Sequence, residues 1–419
     1  MEILRVRSRF EVVAVSLLVA GVFSIPLLGA AAHNLLLGLA LLIGLVILPA
    51  ASWKEMLNAH LSLKLGLALF IWLGLSSLWS MVDPGEALSY WSKYRELLIV
   101  PVFAILMARQ GAWRDKVGVA LYLGLFLSLV ASYLIHFNWV DWTENEHSLK
   151  NRIFHGISMS LFAYLTLRVA LSDQEFKWRS YRYLAWGVYL TTVYSVFFIE
   201  NGRTGYVCFF VMSGIALVEK FGFKKALLFG GIATAAFIVA AAGLGAEHIR
   251  VLNGHDQTEG ASWIMQIQGI DIRIEYWVIS FFAYLNQWLM GYGVGSFELA
   301  YEMTHSVREA YWGPSGNAHN EILMIAVQSG IVGILLYLGF VFTLTLFRAE
   351  NNESEVTPVW FKSGTAMASL IFVAGLFNSS IMDHGDGILF ASALSLMFAG
   401  AKMPAFLFAA DAKSPAPEN

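Results

Sequence analysis

The sequence predicts an all-α polytopic membrane protein, and three observations carry that expectation. Hydrophobic residues make up 58% of the 419 positions and charged residues 14%, with a mean hydropathy of +0.62, far from the balance of a soluble domain. Apolar runs approaching the roughly 20 residues needed to cross the hydrocarbon recur along the chain. Basic residues, finally, divide unevenly between alternate loops. The net charge is only −3, so no basic field recruits nucleic acid, and no local basic patch is interleaved with aromatics.

In order, the apolar runs are Val12–Ala32, Asn34–Ala51, Leu65–Met81, Leu97–Ala108, Val117–Phe137, Ile153–Leu167, Tyr183–Ile199, Tyr206–Val218, Ala226–Ala246, Ile322–Phe347, Ser363–Met382 and Ile388–Gly400. They predict about 12 transmembrane helices, of which the fourth, sixth and eighth are short. The first leads straight into the second with no obvious small-residue cleavage site, so it reads as a permanent helix and not a signal peptide. With both termini cytoplasmic, the extracytoplasmic loops hold only Lys93, Arg95, Lys150, Arg152, Arg203, Arg250, Arg273 and Arg308 of the 27 basic residues, the bias that orients membrane proteins. Residues 1–410 then form a single transmembrane domain and residues 411–419 a polar, disordered cytoplasmic tail. Cys208, the only cysteine, lies in an apolar run, where packing is its default role.

Between the ninth and tenth runs lies a long extracytoplasmic loop, Glu247–His319, and loops of that length are usually functional. Within it, Arg273–Met290 is apolar and aromatic but too short between charges to span, which predicts a helix lying in the interface as a lid. No transporter-type internal repeat is present and no ionisable side chain lies deep in a run, which disfavours a coupled carrier or flippase.

The residues able to do chemistry fall on that same side. Glu200-Asn201-Gly202-Arg203-Thr204-Gly205-Tyr206 is a Gly-flanked turn presenting one arginine, whose planar fork suits phosphate oxygens; the bland alternative is a snorkelling interfacial arginine. Arg273, two residues before Glu275, could join it in neutralising a pyrophosphate leaving group, although spacing alone favours an ordinary helix end with both charges facing water. Gly291-Tyr292-Gly293-Val294-Gly295-Ser296-Phe297 follows no strand and reads as a flexible turn, not a phosphate loop. In Asn317-Ala318-His319-Asn320-Glu321 the histidine titrates near neutral pH and can take a proton from a hydroxyl, with Asn320 or Glu321 orienting its ring; a hydrogen-bonded structural histidine is the alternative. Gly330 and Gly333 permit close helix packing. Arg152 and His155 are weaker candidates. Asp383, His384 and Asp386 invite a metal-site reading, against which capping or solvated polar residues are the simpler account. No paired acidic motif supports a divalent-cation glycosyltransferase.

Asn201-Gly202-Arg203-Thr204-Gly205, Arg273 opening an aromatic helix, and His319-Asn320 followed by Gly330 together resemble the O-antigen ligase family of bacterial lipopolysaccharide assembly. Its superfamily also holds O-antigen polymerases and protein O-oligosaccharyltransferases. The resemblance implies a glycosyltransferase fold of the C type, multi-pass in the inner membrane with its active site at the periplasmic face. It implies metal-independent, inverting transfer of a glycan from undecaprenyl pyrophosphate to a sugar hydroxyl of lipid A-core, without a cofactor. Arg203 and Arg273 would hold the pyrophosphate and His319 would be the general base; Arg152, Tyr276, Asn320 and Asp383 would contact substrate. Residues 1–410 become the catalytic domain and residues 247–319 its lid.

Overall fold

A backbone in an apolar medium must close its hydrogen bonds internally, and this chain does so as helix. The computed structural model describes residues 2–142, 148–199, 202–231, 272–307, 312–349, 359–403 and 407. They form α1 (Glu2–Ser24), α2 (Ala30–Ile47), α3 (Ala50–Ala59), α4 (Leu61–Ser76), α5 (Pro84–Ser92), α6 (Glu96–Arg109), α7 (Gly111–His136), α8 (Arg152–Ala170), α9 (Arg179–Tyr194), α10 (Arg203–Phe221), α11 (Ile272–Asn286), α12 (Phe297–His305), α13 (Glu321–Leu344), α14 (Thr365–Phe377) and α15 (His384–Phe398). Residues 223–231 are also helical. Among the described residues β structure is limited to two isolated bridges, Arg348 with Ser363 and Val359 with Lys402.

Six described helical segments are long and apolar enough to cross a membrane: Ala30–Ile47, Leu61–Trp79, Gly111–His136, Arg152–Ala170, Arg203–Phe221 and Glu321–Leu344. The protein is thus a helical, multi-pass membrane protein. α1, α6, α9, α14 and α15 are helices where the hydropathy places them but do not meet that measure of length and apolarity. The predicted run Ala226–Ala246 is described only to residue 231, and residues 232–271 of the long loop and the tail lie outside the described residues.

One boundary differs from the hydropathy. The first helix stops at Ser24 and the second starts at Ala30, not on either side of His33. Pro26 has no amide to continue the ladder and Gly29 lowers helix propensity, so the turn falls there and His33 is carried inside α2, buried.

Burial separates centre from rim. In α8, 89% of the apolar window is buried, against 28% in α2. α8 packs on α10 through Gly156 and Gly205, where a Cβ on either would come within 2.8 Å of the other's Cα; only glycine permits that approach.

α11 has 15 residues, about 22 Å of helix at 1.5 Å per residue, short of the hydrocarbon thickness of about 30 Å. Its Ile279 and Ala283 pack with Phe297, Ala300 and Tyr301 of α12 and Met324 and Val327 of α13. The turn after it locks into α13. Gly330 has φ 66° and ψ −161° and breaks the helical ladder there. The Tyr292 and Gly293 amides donate to Val327 O and Gln328 O at 2.9 and 2.8 Å, and Ile331 N donates to Trp288 O at 2.9 Å. Trp72 Nε1 donates to Ser329 O at 3.0 Å, and Gly295 N to Gln328 Oε1 at 2.8 Å. Backbone groups released by the break are thereby taken up by protein, the condition for irregular backbone inside a span. The glycine-rich turn is therefore a fitted plug and not a flexible turn: a Cβ at Gly293, φ 91°, would lie 2.3 Å from Ser80 Cα. Gly330, expected as a packing glycine, makes the break that receives it.

Candidate active site

Four helices begin at one end of the bundle. Asn151 caps α8 by accepting from Phe154 N at 2.9 Å, so Arg152 is its first residue. Arg203 is the first residue of α10, and the Gly202 before it is so close that a Cβ would lie 3.3 Å from Arg152 O. Arg152 and Arg203, both exposed, thus stand side by side on two helix N-termini, whose unsatisfied amides and partial positive charge favour an anion. α15 starts next to them, since a Cβ at Gly385 would meet the Phe154 ring at 2.9 Å. α13 starts next to α15, with Ile381 N donating to Glu321 Oε2 at 2.8 Å.

His319 ends the loop that enters α13, and its backbone is left-handed, with φ 47°. Such a conformation costs a bulky residue on the order of 1 kcal/mol or more and persists only where the surroundings over-determine it. Those surroundings are present. His319 N donates to Asn317 Oδ1 at 2.8 Å, which also accepts from Ser379 Oγ at 2.7 Å. Trp277 Nε1 donates to His319 O at 3.3 Å, and the Tyr276 ring stacks on the imidazole with centroids 5.9 Å apart at 20°. Glu275, 0% exposed, accepts from Trp312 N with both oxygens, at 2.9 and 3.0 Å. This corrects the reading of Glu275 as a solvated helix end: it is the anchor that fixes residues 312–319 against α11. Burial raises the Tyr276 hydroxyl above its ordinary range, opposed by its hydrogen bond with Ser315 and aided by Glu275, so the ring stays neutral. Arg273, partly buried, lies one turn before Trp277 on the same helix face, and the face that reaches His319 therefore also carries Arg273.

The remaining candidates separate by role. Asn320 Oδ1 caps α13 through Leu323 N at 3.1 Å and its Nδ2 donates to Leu376 O at 3.1 Å, so both ends of the amide are committed to the protein. Its Oδ1 and the Oε2 of Glu321 serve backbone amides, not the His319 ring. Asp383 caps α15 through Gly385 N at 3.0 Å. Asp386 is not solvated: it is 1% exposed and accepts from Asn378 Nδ2 at 3.2 Å. His384 instead meets Arg95. Among the described residues no three His, Cys, Asp or Glu side chains are placed to hold a metal ion. His155 is buried, with Nε2 3.0 Å from Ser195 Oγ, and Ser195–Ile199 is a π-helical turn leading towards Arg203; such turns recur at functional sites.

The structure thus brings Arg273, Tyr276, His319 and Asn320 into one corner and Arg152 with Arg203 into another, bridged by the Asp383 turn. Sequence reasoning missed Trp277, Asn317 and Ser379, which pin His319. Asn317 was legible as an Asx-type residue able to accept from the amide two positions on; the other two act only through long-range contacts.

The family model described as O-Antigen ligase matches residues 188–338, which takes in Arg203, Arg273, Tyr276, His319 and Asn320 and leaves Arg152 and Asp383 outside. No curated protein matches the chain. From within α9 to within α13, therefore, this membrane protein is similar to the O-antigen ligase family.

Proposed function

We propose that the protein is an O-antigen ligase that moves a glycan from undecaprenyl pyrophosphate to a sugar hydroxyl of lipid A-core at the periplasmic face of the inner membrane. The observation that carries this reading is the pairing of a histidine on pinned, strained backbone with arginines at helix N-termini at the same end of the bundle. In this mechanism neutral His319 takes the proton of the acceptor hydroxyl. The oxygen attacks the anomeric carbon, the bond to the pyrophosphate breaks with inversion, and the electron pair leaves on undecaprenyl pyrophosphate. Arg203 and Arg273 bind the phosphoryl oxygens as charge develops, and Arg152 adds to the field beside Arg203. Asn320 and Asp383 hold the backbone that positions His319 and the turn facing it, and Tyr276 supports the imidazole face. Transfer is metal-independent on this proposal because the arginines supply the positive charge, and purified enzyme keeps its turnover in EDTA. A strict requirement restored by Mg²⁺ or Mn²⁺ would overturn the arginine mechanism.

The test is the lipopolysaccharide gel profile of a deletion strain, with and without a plasmid copy. Loss of every ladder band above core, restored by the plasmid, supports the ligase. A band carrying one repeat identifies a polymerase instead, and an unchanged ladder removes the gene from this step.

A further inference from the structure

A second polar cluster lies at the same end of the bundle, and the mechanism above does not use it. α6 packs against both α2 and α15, and the N-termini of the three helices bring together His33, Arg95, Glu96 and His384. The His33 and His384 rings stack with centroids 5.4 Å apart at 21°. Arg95 Nη2 lies 2.8 Å from His384 Nδ1 and donates to Asn34 Oδ1 at 3.3 Å, while Arg95 Nη1 donates to Ser92 O at 3.1 Å. Glu96 Oε1 is 3.7 Å from Arg95 Nη2 and 3.8 Å from His384 Nδ1. Lys150 joins from the loop before α8, its amine donating to Leu28 O just ahead of α2.

The donors do not balance. A guanidinium has no acceptor, so His384 Nδ1 must accept from Arg95 and the ring proton sits on Nε2. His384 Nε2 is buried and has no hydrogen-bond partner among the described residues. His33 is 1% exposed, and neither of its nitrogens has a partner there, though at least one carries a hydrogen. Buried polar groups are almost always paired. Both Glu96 oxygens are likewise buried with no hydrogen-bond partner among the described residues. A group at these three converging helix N-termini, flanked by Arg95 and Lys150, must therefore accept from the two orphan N–H donors and donate to Glu96, as a phosphate that keeps one P–OH does. The Arg95 and His384 side chains are 33% and 29% exposed, which leaves a way in.

We infer that His33, Arg95 and His384 form a phosphate-binding site separate from the Arg203 and Arg273 corner. The bound group is a phosphate, either on a lipid or free in solution, and the site is independent of the transfer reaction proposed above.

The test uses the purified full-length protein in a neutral maltoside detergent with radiolabelled orthophosphate, and in phosphatidylcholine nanodiscs doped with phosphatidic acid. Wild-type protein binds phosphate, and Arg95→Ala and His384→Ala each weaken it by about tenfold or more, as expected for loss of a charged or buried donor. Arg203→Ala and Arg273→Ala remove at most a separate component of the binding and leave the component sensitive to Arg95 and His384 unchanged, so the result is distinct from failure of the ligase reading. His384→Gln, which keeps an N–H on a long planar side chain, binds better than His384→Ala. Monodisperse elution and an unshifted melting curve separate lost binding from lost fold, and Arg95→Lys serves if the alanine variant fails these. Phosphatidic acid that displaces orthophosphate identifies a lipid source; orthophosphate binding without that competition identifies a soluble one. Binding to neither probe, or loss only in Arg203→Ala, overturns the proposal.

Discussion

His319 is held from several sides, whereas Arg152 and Arg203 are carried by the backbone that starts their helices and reach outward. The histidine corner has Asn317 on its amide, Trp277 on its carbonyl and Tyr276 on its ring. The arginine corner has two exposed side chains on helices whose close approach rests on Gly156 and Gly205. On the proposed mechanism His319 transfers a proton, which works only over a narrow range of distance and angle, so its corner would need geometry. The arginines would act as a charge clamp, which needs the right functional group within reach, so their corner would need chemistry. Substitutions should therefore act differently in the two places.

The largest effect is expected from His319→Ala, a fall in transfer rate of about 10²–10⁴-fold, the usual worth of a general base. Donor binding should persist. An alanine variant that turns over well but no longer binds undecaprenyl-pyrophosphate glycan would move His319 into the donor clamp and dissolve the contrast.

Next is the foundation of the held corner. Gly330→Ala forces a Cβ to within 2.3 Å of Leu289 O at φ 66°, where the strain alone costs about 1–3 kcal/mol. Folded yield and thermal midpoint should drop sharply. Gly214→Ala on α10, where a Cβ meets nothing within 4 Å, should leave both unchanged; equal behaviour of the two would mean that the plug at residues 287–296 does not hold α13.

In the arginine corner, Arg203→Lys and Arg273→Lys keep the charge and lose the fork. Turnover at matched membrane levels should fall by about 10–100-fold, the value of charge-assisted hydrogen bonds. Near-normal rates in both would show that positive potential alone suffices. A smaller loss, about three- to tenfold in kcat with KM kept, is expected for Asn317→Ala, because one neutral hydrogen bond is removed from the His319 backbone. Tyr276→Phe should change least, since the stacked ring is retained; a loss as large as that of Asn317→Ala would give the hydroxyl a direct role on substrate.

Arg203, Arg273 and His319, the residues of the proposed mechanism, were legible as candidates in the sequence because each sits in a short local pattern beside an apolar run, and all three fall within the matched segment, residues 188–338. Their supports were not. Glu275 looks like any acidic residue in a first helical turn, and only the approach of Trp312 makes it a buried anchor. Arg95 stood in the dense charge run Lys93-Tyr94-Arg95-Glu96, but nothing in that run points to His33 and His384, which chain folding alone brings to it.

What the sequence by itself determined is the solvent and the secondary structure. Hydropathy is a property of a residue and its chain neighbours, and an apolar run in lipid has little choice but to close its own hydrogen bonds as helix. What only the tertiary structure decided is which polar groups are buried and where a helix opens. Gly330 and Gly333 are alike to any local reading, yet one breaks α13 and the other does not. The difference lies in residues 287–296, which offer partners to the opened backbone at Gly330; an unpaired carbonyl in an apolar interior is too costly to exist without them.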